Sequence, residues 1–331
     1  VRCPAGAPVN AVRGLLDFIA RLVTDYQPTH LACCWDNDWR PQRRVDLIPS
    51  YKAHRVVAEI PGPRPDIEEV PDPLEAQIPV IIEVLGAIGL TIVGADGYEA
   101  DDVIGTLATN AGMPVDIVTG DRDLFQLVDD ASGVRVLYTA RGVGNHERVT
   151  DEVVVSKYSV LPSQYADFAT MRGDASDGLP GVPGVGEKTA AHLLLTYGDM
   201  QGIVGAAADP GSDMAPGPRR KISDALPYLE VAPTVVAVAR DIDLAACPGV
   251  AQCHEGWIQM VVDHSLEAPH REDVVQREFD GGPVTPGRGL HQSPALLGGR
   301  PAVAGLRCPS PPRGLLTLRA DAILRRITRL P

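Results

Sequence analysis

A chain of 331 residues that is 44% hydrophobic can bury a substantial core, with room for one large domain and an appendage or for two domains. Its six cysteines, at positions 3, 33, 34, 247, 253 and 308, form no C-x-x-C pair; this excludes a disulfide-stapled secreted module or a recognisable zinc framework and leads us to expect reduced thiols in a cytoplasm. The formal charge of −13 argues against a surface that coats nucleic acid everywhere, so contact with phosphate would have to come from local basic windows or bound cations.

From Pro8 to Tyr26 the apolar residues Val12, Leu15, Leu16, Ile19, Leu22 and Val23 recur at helical spacing and predict an amphipathic helix. The arginines and Asp17 in this stretch leave no unbroken apolar run, so it is no secretory signal. His30 to Trp35 reads as a short buried strand, ended by Asp36-Asn37-Asp38. Residues 40–73 are rich in Pro and Arg without sustained period, as expected of a long functional loop. Within it Arg40, Arg43, Arg44, Lys52, Arg55 and Arg64 form a basic window, weak evidence by itself because charge runs are usually solvated faces.

The apolar stretch from Ile78 to Ala95 is long enough to raise the question of a membrane span, but Pro79, Glu83 and three glycines favour a buried helix, a turn and a strand. Next come a helix from about Leu74 to Ala87, a strand at Leu90 to Val93, a helix from Ala100 to Asn110, a strand at Val115 to Thr119, a helix after Arg122 and a strand at Val134 to Tyr138. This alternation predicts an α/β fold with a mostly parallel sheet, and sites in such folds lie beyond the carboxyl ends of the strands. After Thr150 the pattern is helical to about residue 245. Residues 246–331, rich in Gly, Pro and Arg, read as an irregular tail.

Three acidic clusters carry the chemistry. Glu99, Asp101 and Asp102 open a helix, where carboxylates complement the helix dipole, yet three within four residues repel one another unless a cation or proton sits among them. Asp121 and Asp123 follow a strand. Asp174 and Asp177 sit three apart in a Gly-flanked loop; either of these pairs alone is more often a turn or an N-cap. Carboxylates without His or Cys support suit hard divalent cations, and two such ions can activate a water and stabilise the departing oxygen of a phosphodiester. In the stretch Gly178 to Thr189, Gly184 and Gly186 permit a tight hairpin before a helix N-terminus, with Lys188 as a point charge for phosphate.

The runs Y-E-A-D-D-V-I-G-T-L-A, T-G-D-R-D-L-F-Q-L, M-R-G-D-A-S-D-G-L-P-G-V-P-G-V-G-E-K-T-A and S-Y-K-A-H-R together resemble the 5′ nucleases, meaning the 5′–3′ exonuclease domain of bacterial DNA polymerase I and the flap endonucleases. The resemblance spans roughly residues 8–245. It implies a PIN-like nuclease core over residues 1–150 with an arch at about 40–65, then a helix–hairpin–helix (helix–three-turn–helix) module over 151–245. On the matching positions Asp36, Glu99, Asp101, Asp102, Asp121, Asp123, Asp174 and Asp177 would surround two Mg²⁺ or Mn²⁺ ions, with Asp38 a close rival of Asp36. Lys52 and Arg55 would meet phosphate and serve catalysis, and Tyr51 would stack on DNA. Gly184, Gly186, Lys188 and Thr189 would hold the duplex backbone, with K⁺ assisting.

The implied function is structure-selective cleavage of DNA at 5′ ends or flaps by a monomer with no membrane attachment. A DNA-structure-binding protein with impaired catalysis and a PIN-type ribonuclease are the competing readings. Members of the family begin with a strand ending in a metal-binding Asp, whereas this chain opens at Val1 ahead of its first helix. A lost first strand, with weak activity as a consequence, is therefore expected.

Overall fold

A computed structural model describes residues 6, 8–58, 60, 66–68 and 72–244, and the backbone of 258–263. The first helix, α1 (Asn10–Tyr26), realises the expected stripe: Val12, Ile19, Leu22 and Val23 are buried, and Gln27 ends it in the left-handed conformation. Strand β1 (His30–Trp35) follows, buried along nearly its whole length. The long loop is more structured than its composition suggests. It carries α2 (Gln42–Val45), a 3₁₀ turn at Ala53–Arg55, and a two-stranded hairpin of β2 (Val56–Ala58) and β3 (Ile67–Glu68).

Next are α3 (Asp72–Glu75), α4 (Ile78–Ile88), β4 (Thr91–Gly94), α5 (Ala100–Ala108) and β5 (Val115–Thr119). The helix expected after Arg122 is a 3₁₀ turn, Asp123–Leu127, followed by β6 (Val134–Tyr138) and an antiparallel strand the pattern did not suggest, β7 (Glu147–Val149). The helical part comprises α6 (Asp151–Tyr158), α7 (Tyr165–Arg172), α8 (Glu187–Tyr197), α9 (Met200–Ala208), α10 (Pro216–Asp224), α11 (Leu226–Leu229) and α12 (Ala232–Val236). Among the described residues no helix is long and apolar enough to cross a membrane.

The main sheet has the order β4-β1-β8-β5-β6-β7, where β8 is Ile258–Asp263. Strands β4, β1, β5 and β6 share one direction, and β7 and β8 run against them. Two expectations need correction here. The segment 246–331 is not irregular throughout, because 258–263 is a strand. The first strand expected to be lost would supply the centre of the sheet, yet that centre is filled, since β8 pairs with β1 from His30↔Asp263 to Trp35↔Ile258 and with β5 from Val115↔Asp263 to Val118↔Met260. An apolar hexapeptide rich in Val and Ile can complete a ladder in either direction, and composition averaged over a long segment hides it.

One face of the sheet is covered by α1 and α4, whose Ile19, Leu22, Leu85 and Ile88 pack with Leu31, Cys33 and Val118. On the other, α5 packs in a single cluster that runs from Val103 and Ile104 through Phe125, Tyr165 and Phe168 to Leu194 and Ile222. The α/β and helical segments thus share one core.

Candidate active site

The carboxyl ends of β1 and β5 deliver Asp36, Asp121 and Asp123 to the same edge of the sheet. Asp36 accepts a 2.5 Å hydrogen bond from the Ala100 amide, which fixes it at the N-terminus of α5 beside Asp101. Asp38 faces Asp66 and Asp36, and desolvation raises its pKa. Asp36 is therefore the better placed of the two rivals.

Repulsion reveals which carboxylates share a neighbourhood. Asp101 is driven well above the ordinary carboxylate range by desolvation, then by Asp121 and Asp36. Desolvation also raises Asp121, offset by the Asp123 amide and reinforced by Asp177 and Asp174. Asp123 is pushed up to about 8 by desolvation, then by Asp121, Asp177 and Asp174. Desolvation acts on Asp174 too, but the Ser176 hydroxyl and amide and the Arg172 guanidinium outweigh it and bring its pKa below the usual value. Six of the expected residues, Asp36, Asp101, Asp121, Asp123, Asp174 and Asp177, are thus brought together.

Among the described residues no three such side chains converge into a ready-made cage.

The pH dependence follows. Between 3.8 and about 8 the folded chain holds a proton on Asp123 that the unfolded chain has released, so raising pH across this window destabilises the cation-free protein. Cations need the ionised form. The gain in Tm on adding Mg²⁺ is expected to grow from pH 5 to 8, and to grow less in Asp123→Asn; equal gains at all pH values in the parent would contradict the assignment.

Glu99 and Asp102 occupy a different place. They form the capping box of α5, each side chain accepting from the other's backbone amide. Asp102 is 0% exposed and its two oxygens take donors from Arg43, from Arg44 Nη2 at 2.9 Å, from the Glu99 amide at 3.2 Å and from the Ala239 amide at 2.7 Å. The expectation that Asp102 lines the metal site is corrected, because the side chain points behind the site into arginines. Glu99 is 3% exposed and is held by Arg44, by Lys52 Nζ at 2.6 Å and by the Tyr51 hydroxyl at 2.9 Å.

Tyr51 also departs from expectation. It is 3% exposed, it packs with Ile48, Ala169 and Val235, and burial lifts its phenol to about 12. A ring so enclosed offers no face to a base; it braces Glu99 instead. Lys52, next to it, has φ of 48°, and although burial opposes its charge, Tyr51, Asp177, Asp36 and Asp101 hold the ammonium above its ordinary pKa. Arg55 donates to the Ser176 carbonyl at 2.6 Å and to Asp177 at 3.2 Å.

The loop Ser50–Arg55 is seated directly on the third acidic cluster. The Lys52 amide donates to the Asp177 carbonyl at 2.9 Å and the Ser50 hydroxyl to the Gly178 carbonyl at 3.0 Å. Gly178 permits this approach, since its φ is 71° and a Cβ there would lie 2.2 Å from the Ser50 carbonyl oxygen. The residues that sequence reasoning gave no role are Arg43 and Arg44, visible only as part of a basic window, and Ser176, which secures Asp174.

The hairpin expected to grip phosphate lies at residues 182–186. Gly184 has φ of 74°, α8 begins at Glu187 with no side chain capping it, and Lys188 is exposed. Lys221 on α10 donates to the Gly184 carbonyl at 2.7 Å, so a K⁺ at that oxygen would compete with an ammonium already there.

The 5′-3′ exonuclease family models match this chain, the N-terminal resolvase-like domain over residues 1–159 and the C-terminal SAM fold over 160–254. The chain belongs to the 5′–3′ exonuclease family. As one of its members it is a DNA-hydrolysing nuclease, a resolvase-like α/β domain followed by a SAM-like helical fold. It is 60% identical over 244 residues to a 5′-3′ exonuclease of Streptomyces coelicolor, covering 74% of this chain and 81% of that one. It is 52% identical over 248 residues to a 5′-3′ exonuclease of Mycobacterium tuberculosis, covering 73% and 78%. A DNA polymerase I of Mycobacterium bovis is 42% identical over 251 residues, and there the match covers 25% of the polymerase. A bacteriophage T5 5′-exonuclease shares the fold with TM-score 0.52 at 16% identity, covering 68% of this chain and 80% of that one. Other T5 structures are described as co-crystallised with metal ions and as a pseudo-enzyme–product complex with DNA and metal ions.

Proposed function

We propose that this family member cleaves DNA at 5′ ends and flaps as a single chain, with two Mg²⁺ or Mn²⁺ ions held by Asp36, Asp101, Asp121, Asp123, Asp174 and Asp177. The observation that carries the reading is that Asp101, Asp121 and Asp123 are buried beside one another and near Asp36, Asp174 and Asp177, so that desolvation first and mutual repulsion second raise their pKa values. When bound, the cations supply an activated water and charge for the departing oxygen. The protein's own part is placement. Lys52 and Arg55, seated over the third acidic cluster, are positioned to turn from Glu99 and Asp177 toward the scissile phosphate, while Arg44 and Tyr51 keep Glu99 in place behind the site. The hairpin at Gly184 and Gly186, with Lys188 and Thr189, holds the duplex at a distance from the cut.

A second reading, a family member that binds DNA structures with impaired catalysis, predicts binding without cleavage. Matched substrates decide. Incubation with Mg²⁺ and a DNA flap labelled at its 5′ end should release short labelled products, while a 3′-overhang and an RNA copy of the flap stay intact. Tight binding without cleavage would favour the second reading, and equal cutting of RNA would favour a ribonuclease.

Lys188→Ala is expected to weaken binding to every duplex-containing DNA alike and to reduce the slope of log K against log salt by roughly one, as for a single lost phosphate contact. Filter binding in Ca²⁺ over a salt series measures this; an unchanged slope would return the hairpin to an ordinary loop.

A further inference from the structure

Behind the acidic cluster lies a guanidinium whose hold reaches past Glu99. Arg44 is 3% exposed, and its planar fork spans the two capping residues of α5, pairing with Glu99 on one side and with Asp102 Oδ1 at 2.9 Å on the other. It also reaches the Tyr51 hydroxyl at 3.3 Å and the Ala237 carbonyl at 3.4 Å. Arg43 adds a second donor to Asp102 while its guanidinium stacks 4.8 Å above the Tyr98 ring.

An ionised carboxylate offers about four lone-pair sites. Asp102 spends two on each oxygen: Arg44 and the Ala239 amide on one, Arg43 and the Glu99 amide on the other. Nothing is left for a cation. The Ala239 contact is tight because the segment after α12 crosses α5 at Gly105, where a Cβ would lie 2.4 Å from the Ala239 carbonyl oxygen. Gln126, just past Asp123, clamps the same segment by donating to the Val236 carbonyl and accepting from the Val238 amide.

We propose that Arg44 and Asp102 form one buried positioning unit, binding neither cation nor DNA, that locks the start of α5 so that Asp101 stays beside Asp121 and Asp36. This rests on the reading of that cluster as the metal site. Arginine is required because a planar fork satisfies two carboxylates at once, whereas an ammonium presents a point charge. The unit also ties together three stretches distant in sequence, the loop before Tyr51, α5 and the chain at 236–240, and Gln126 holds the last of these independently.

The test uses the 331-residue protein and compares Arg44→Gln, Arg44→Lys, Asp102→Asn and the double variant Arg44→Gln/Asp102→Asn with Asp121→Asn. Calorimetric titration with Mn²⁺ alone should give Asp102→Asn the parent's stoichiometry, with affinity within about threefold, whereas Asp121→Asn loses bound Mn²⁺. In flap cleavage each single change should lower kcat by about 10- to 100-fold with KM nearly constant, the scale of losing an orienting partner behind a metal ligand. The double variant should be no slower than the worse single one, because the two act as a unit. Arg44→Lys should recover only part of the loss. Loss of Mn²⁺ from Asp102→Asn, or multiplied losses in the double variant, overturns the proposal. If Arg44→Gln gives no cooperative melt, the Mn²⁺ stoichiometry of Asp102→Asn decides alone. A parent that binds no Mn²⁺ and cuts no DNA instead overturns the underlying reading of the site.

Discussion

Asp121→Asn is expected to lower Mg²⁺-supported cleavage by about 10²- to 10³-fold, the scale seen when one preorganised electrostatic contact to a reacting centre is removed. Asp121 is the hub of the cluster: it raises Asp101 and Asp123 and is itself raised by Asp177 and Asp174. Asn keeps the shape and removes the charge that a cation needs. DNA affinity in Ca²⁺ should stay within a few-fold, since the proposed phosphate contacts are Lys52, Arg55 and the hairpin. The melting temperature of the cation-free variant should rise, because one repelling carboxylate is gone. A variant that cuts as fast as the parent would show that the cations sit elsewhere.

The second large effect concerns the sheet. Ending the chain after Leu244 removes β8 and strips partners from both β1 and β5, leaving β4-β1 and β5-β6-β7 as separate pieces with exposed ladder edges. Each hydrogen bond lost is worth about 0.5–1.5 kcal/mol net. Several together imply a fall in Tm on the order of 10 °C or more. Ending it after Ser265 retains β8 and should preserve the parent's melt. Equal melts for the two truncations would mean that β8 does not hold the centre of the sheet. Asp36 and Asp121 stand at the ends of the two strands that β8 joins, so activity should fall with the melt.

Much of this architecture was legible because it is local. The stripe Val12, Ile19, Leu22 and Val23 specifies α1 by spacing alone, and β5 and β6 have the limits that their patterns indicate. The acidic clusters were legible as chemistry, because carboxylates crowded in short runs are costly without a cation or proton. What escaped depends on distant partners. The resemblance gave Tyr51 a stacking role, and only packing against Ala169 and Val235 shows it to be interior. Asp102 was indistinguishable from Asp101 in sequence; the Ala239 amide, 137 positions away, helps turn it inward. Arg44 was lost in a window of similar charges. The hexapeptide of β8 was masked by the Gly- and Pro-rich residues around it, and nothing local says that it pairs with β1.

The central claim, that six aspartates form the cation site and the capping pair supports it from behind, can be read directly from crystals soaked in Mn²⁺ and measured at the manganese absorption edge. Anomalous peaks are expected between Asp101, Asp121 and Asp123 and toward Asp174 and Asp177, with Asp102 still enclosed by Arg43 and Arg44. Clear density for the side chains with no anomalous peak among them, or a peak bonded to the Asp102 carboxylate, would contradict the account.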